Sequence, residues 1–242
     1  MNSRFINYKQ EEIEKNIYRV FSFERLLELF NQQELTLVHP SLWEDPFENF
    51  FLNSEFTNAA GRTFSLDLKY GVYGQCWSLS RESDAMWRIY SPDKRGVKVR
   101  TTSRKLLSYL NDATVDYGSA YIGKVNYLPK TKMNELCNDD NFIRSSLDSE
   151  QGIASTLLYK RREFSHENEV RLIHTKASCR EGSDKVFSFS VNPMELVDQI
   201  VFDPRMNDDL FQVYKKHISD LGFKKSIVKS SLYDLPALKI KI

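Results

Sequence analysis

Glycine and proline are scarce in this chain, 9 and 7 among 242 residues, which excludes a long linker or a disordered array. Cysteine is scarcer still. Cys76, Cys137 and Cys179 are odd in number and far apart, so they read as reduced thiols rather than as a disulfide framework or a zinc site. No charge sign dominates: 34 basic residues face 33 acidic ones, a net charge of +1, and no global field draws nucleic acid or an anionic membrane. No apolar run approaches the ~20 residues that span a bilayer, and the first sixteen residues are polar and charged, unlike a secretory signal. The expected location is cytoplasmic, with no membrane partner. A glycine-rich phosphate loop, a helix-borne histidine pair and a nucleophile elbow are also missing, which sets aside dedicated nucleotide hydrolysis and zinc hydrolysis.

What is present is material for a core: 41% hydrophobic residues, 13% of the chain aromatic, and no internal repeat. We expect a single domain over residues 1–242, with 1–16 as a polar N-terminal extension. Short alternating runs at 17–21, 34–39, 71–79, 96–100, 121–127, 170–174, 185–190, 197–203 and 225–229 read as strands. Helices are expected from a Ser22 cap through Phe30, and over 84–90, 103–110, 140–160, 192–196 and 208–221. Strands outnumber helices without regular alternation. The fold class is therefore α+β, with a mixed, largely antiparallel sheet and flanking helices.

The most informative stretch is Ser165-His166-Glu167-Asn168-Glu169-Val170-Arg171-Leu172-Ile173. On an extended backbone Glu167 and Glu169 point to one face, as a pair suited to proton transfer or to binding a cationic or hydroxylic ligand. The ordinary reading makes them the solvated face of an edge strand. Lys160-Arg161-Arg162 likewise reads as a solvated run, and Trp77 and Trp87 as core. Asp45-Pro46-Phe47-Glu48 reads as a proline-fixed turn, with Phe47 buried and an acid bonding backbone amides or a neighbouring arginine.

In order along the chain, Ile17-Tyr18-Arg19-Val20-Phe21, Leu37 to Glu48, Cys76-Trp77-Ser78-Leu79-Ser80, Met86-Trp87-Arg88-Ile89-Tyr90, Gly96-Val97-Lys98-Val99 and Phe164 to Leu172 resemble a bacterial family, the domain of unknown function numbered twenty-nine seventy-one. Trp43-Glu44 departs from it, since the family more often has Phe-Asn before Asp-Pro-Phe-Glu. The motif order also resembles, more distantly, the ADP-ribosyltransferases of the Arg-Ser-Glu type. That resemblance implies an ADP-ribosyltransferase-like fold and NAD as substrate. It implies that Arg19 holds phosphate and ribose, that Ser78 supports the nicotinamide ribose, and that Glu169 is the catalytic carboxylate. Glu167 would activate the acceptor, and Tyr18 or Trp43 would stack on nicotinamide. The acceptor, protein or nucleic acid, stays open, as does a partner or antitoxin protein if the chain is a toxin or defence effector.

Three readings follow: NAD-dependent ADP-ribosyl transfer or NAD hydrolysis; a non-catalytic sensor or protein-binding module using the acidic aromatic loop 43–51; and a metal-dependent phosphodiesterase or nuclease using Asp45, Glu48, Glu167 and Glu169. For the first, no resident metal is expected.

Overall fold

The computed structural model describes residues 4–58, 60–176 and 179–236. In chain order its elements are β1 (Phe5–Ile6), β2 (Asn16–Phe21), α1 (Phe23–Gln32), β3 (Glu34–Val38), β4 (Phe56–Thr57), β5 (Thr63–Phe64), β6 (Val72–Ser78), α2 (Asp84–Tyr90), β7 (Val97–Thr102), α3 (Ser103–Thr114) and β8 (Ser119–Lys124). They continue with β9 (Asn126–Leu128), α4 (Lys130–Leu136), α5 (Asp140–Leu147), α6 (Glu150–Thr156), β10 (Tyr159–Arg161), β11 (Glu169–Thr175), β12 (Val186–Ser190), α7 (Pro193–Leu196), β13 (Gln199–Phe202), α8 (Asp208–Asp220) and β14 (Ser226–Lys229).

One ten-stranded sheet runs β1-β8-β11-β6-β2-β7-β13-β14, with β3 joined to both β6 and β12. Only β1 with β8 and β13 with β14 pair in parallel within it. The fold is thus α+β with a mixed, largely antiparallel sheet. Residues 5–13, expected as part of a polar extension, instead supply β1 and bury Ile6, Tyr8 and Ile13.

Local sequence explains the helices. Ser22 Oγ accepts from Arg25 N at 3.3 Å and caps α1, whose Leu26, Leu29 and Phe30 face the core. Left-handed Gln33, with φ of 55°, ends it. The helix expected over 140–160 is broken: Ser149 Oγ accepts from Gly152 N at 3.0 Å and starts a new helix, α6, folded against α5. A Cβ at Gly152 would lie 2.1 Å from Ser145 O, so only glycine permits that packing. The chain then leaves α6 early enough for Tyr159–Arg161 to be a strand beside β9.

Strand alternation sorts side chains between two faces. Ile17, Trp77, Val97, Val99, Val170 and Leu172 enter the large core with α1, α3 and α8. Ile173 and Val72 instead join Phe51, Leu52, Ile153 and Leu157 in a second core on the other face. That second face carries the candidate site.

Candidate active site

Across three neighbouring strands the register aligns Glu169 on β11 with Ser78 on β6, and Ser78 with Tyr18 on β2. Directly opposed residues share a face, so Tyr18, Ser78 and Glu169 form one row. Arg19 does not join it. It has the parity of Ile17 and Phe21, pairs with Val99, and points through the sheet to the opposite side. The expected Arg19–Ser78–Glu169 grouping is not formed: register sets Tyr18 opposite Ser78, and the arginine that the resemblance makes the holder of phosphate and ribose lies on the other face, which removes one of the three residues carrying that resemblance.

Glu167 reaches the row by a different route from the one expected. It closes a 3-10 turn over Arg162–Glu167, and left-handed Asn168, with φ of 45°, swings the chain into β11. Ser78 Oγ donates to Glu167 O at 2.6 Å and accepts from Ser80 N at 3.0 Å. Ser78 thus fixes the backbone that carries Glu167. Tyr127 Oη accepts from Glu169 N at 2.8 Å and fixes the other acid.

Neither glutamate is solvated. Lys160 Nζ lies 3.0 Å from Glu48 Oε1 and 3.0 Å from Glu169 Oε1, and it also bonds Glu167 Oε2. Arg171 is 0% exposed. Its Nη2 lies 2.6 Å from Glu48 Oε2 and 2.7 Å from Glu169 Oε2, while Nη1 donates to Leu157 O at 2.6 Å. The ring of Trp43 covers the Arg171 guanidinium at 4.5 Å and packs on Gly74, where a Cβ would meet it at 2.7 Å. Trp43 is therefore engaged by Arg171 rather than free to stack on nicotinamide.

The cluster holds three carboxylates against two cations. One proton would balance it, and Glu167 is favoured over Glu169 as its holder. Burial raises the Glu167 carboxyl to about 7, with the bond to Glu169 adding to the rise and Lys160 opposing it. For Glu169 burial opposes the charge, but Arg171, the Glu167 bond and Lys160 outweigh it and hold the group low. Two adjacent carboxyls with protonation pushed apart are a recurring acid–base arrangement. Cys76, on the same face, is no nucleophile: burial pushes its thiol up to about 12.

A pH test follows. Between the ordinary carboxylate range and about 7, the folded chain keeps a proton on Glu167 that the unfolded chain has released. The stability from this group is complete in acid and is lost as pH rises through about 7; that from Glu169 is present above its ordinary range and lost as pH falls below it. Glu167→Gln copies the protonated form. Between about pH 5 and pH 8 the wild-type chain should lose stability on the order of 2 kcal/mol relative to this variant. Parallel melting curves for both proteins across that range would contradict the assignment.

The proline-fixed turn feeds the cluster. Asp45 Oδ1 accepts from Phe47 N at 3.0 Å, and its carboxylate takes a two-point bond from Arg161 at 3.2 and 3.1 Å. Phe47 is only half-buried, a correction to its expected burial, and lies under Arg161 and Lys130 at 4.7 and 5.4 Å. Phe47→Ala should therefore cost about 1–2 kcal/mol, from partial burial and a cation–π contact, and not the ~3–5 kcal/mol of a core aromatic. Chemical denaturation measures the difference.

Among the described residues no group of three or more His, Cys, Asp or Glu is placed to hold a metal ion, and the carboxylates of the phosphodiesterase reading instead surround an ammonium (Glu48, Glu167, Glu169) or face a guanidinium (Asp45). Sequence reading missed Lys160 and Arg171, and named Glu48 only as an acid of the turn or of a metal site, not as a partner of these two cations. The signal was available in Arg171, an arginine inside the apolar run Val170-Arg171-Leu172-Ile173, which burial obliges to find carboxylates. Among the described residues, no helix is long and apolar enough to cross a membrane.

Comparison with solved structures returns Thermus sp. 2.9 DarT in complex with NAD+, with 10% identity, a TM-score of 0.41, and 93% of this chain and 98% of that chain covered. The same protein in complex with ADP-ribosylated ssDNA gives 10%, 0.41, 90% and 94%, and in complex with carba-NAD+ 10%, 0.40, 92% and 97%. No curated protein matches. Residues 86–172, which run from α2 through Lys160 to Leu172 on β11, match the family described as "Protein of unknown function (DUF2971)", the family that the motif order resembles.

Proposed function

We propose that this chain breaks the nicotinamide–ribose bond of NAD at the Glu167–Glu169 pair, passing the ADP-ribose unit to water or to an acceptor group. The observation that carries this reading is the placement of Glu167 and Glu169 against the buried cations Lys160 and Arg171, beside the row formed by Ser78 and Tyr18. The choice of NAD follows the order of Ser78 and the late Glu167–Glu169 pair alone, because Arg19, the arginine of the transferase motif, faces away from them.

In this reading ionised Glu169 accepts a hydrogen bond from the ribose hydroxyl beside the breaking bond. Its charge stabilises the positive charge that grows on the sugar as neutral nicotinamide leaves with the bonding pair. Glu167 titrates near neutrality, so its ionised form can take the proton of the incoming hydroxyl as the new bond to the sugar forms. Lys160 and Arg171 hold both acids in place. Tyr18 and Ser78 line a crevice of ≈ 10 Å³ with Met86, Trp87 and Lys98, so NAD needs the cover to move. An acceptor on protein or nucleic acid would make the chain a toxin or defence effector.

Calorimetry with NAD tests the binding half of this reading. Wild-type protein and Arg19→Gln should bind NAD alike, because Arg19 faces away from the row, whereas Tyr18→Ala should bind it more weakly. Heat-silent titration of the wild-type chain at millimolar NAD would remove the reading.

A further inference from the structure

A second site lies on the opposite face, where the sheet forks. β6 shares one edge between two strands: Ser78 pairs with Tyr18 of β2, and Gly74 pairs with Val38 of β3. Between those two contacts β2 and β3 diverge, and α1, which connects them, spans the gap. The fork leaves a cavity of ≈ 360 Å³ floored by Gln75 and Trp77. That volume falls within the range of small-molecule sites.

Its walls are mostly apolar, with Phe21, Leu29, Leu35, Val99 and Leu196 among them. Arg19 enters this space partly buried and, among the described residues, makes no ion pair and no side-chain hydrogen bond. Of the other polar groups in the lining, Gln32 and Glu34 are exposed, Thr36 Oγ1 and Ser188 Oγ share a hydrogen bond at 2.8 Å, and the rest are engaged. Glu28 pairs with Arg25 at 2.6 Å; Gln75 donates from Nε2 to Thr36 O at 2.9 Å and accepts from Trp77 Nε1 at 2.8 Å. Burial works against the charge of Arg19, and no carboxylate offsets the loss. A forked guanidinium in that position suits one planar or tetrahedral anionic group.

We infer that the cavity binds a small amphipathic anion, with one carboxylate, sulfonate or phosphate group on Arg19 and a compact apolar or aromatic body against Trp77, Leu29 and Leu35. Alternation of the sheet puts this cavity on the face opposite Glu167 and Glu169, although Arg19 still feels the charges of Cys76 and Tyr90.

The probe is 8-anilinonaphthalene-1-sulfonate, titrated by fluorescence into the folded full chain. Saturable binding at one site per chain is expected, displaced by 1-naphthoate or 1-naphthyl phosphate but not by uncharged 1-naphthylmethanol at equal concentration. The stronger of the two anions distinguishes a carboxylate ligand from a phosphate. Arg19→Gln should fold with an unchanged Tm and weaken binding by about tenfold or more, the scale of one lost charge-assisted bond. Val186→Trp, which fills the exposed mouth, should weaken it as well. Absence of saturable binding, equal binding by Arg19→Gln, or equal displacement by the uncharged alcohol would overturn the inference.

Discussion

Arg171→Met is expected to cost ~3–5 kcal/mol, the scale for breaking a buried ion pair from one side. The side chain is wholly buried, and its removal leaves Glu48 and Glu169 facing each other across a site with only Lys160 to balance them. For a chain of this size the Tm should fall by about 6–20 °C. Adding Glu48→Gln and Glu169→Gln to that variant should restore part of the loss, because the charges left without a partner are then gone. If Arg171→Met melts like wild type, the cluster is hydrated and the divided protonation of Glu167 and Glu169 loses its physical basis.

Glu169→Gln carries the largest expected effect on activity. Glutamine keeps the shape of the side chain and can still accept from Arg171, so binding of ground-state NAD should change little. It removes the negative charge that favours the transition state alone, and turnover should fall ~100-fold or more, about 2.7 kcal/mol. A rise in KM with kcat intact would instead mark Glu169 as a binding residue.

Much of the fold was legible along the chain. Ser22 followed by a helical apolar pattern marked α1, and the alternating runs at 17–21 and 170–174 marked two central strands. What alternation could not supply was register. Whether Tyr18 or Arg19 stands opposite Ser78 depends on the pairing of β2 with β6, and a shift of one residue exchanges the two faces. The charge cluster was hidden for a related reason: its members lie at 48, 160, 167, 169 and 171, and Lys160 appeared to end a long helix. The break at Ser149 and the close approach at Gly152 free that lysine to sit on a strand beneath the acids. Two adjacent glutamates were visible in the sequence; the cations that divide their protonation were not.

In the proposed reaction Glu169 acts on NAD from a row that excludes Arg19. The most direct measurement is nicotinamide release from NAD by purified wild-type, Glu169→Gln and Arg19→Gln proteins, run with and without cell lysate and single-stranded nucleic acid. Wild type and Arg19→Gln should both release nicotinamide, with Glu169→Gln slower by ~100-fold. No release by wild type under any of these conditions, or equal release by wild type and Glu169→Gln, would contradict the proposed reaction.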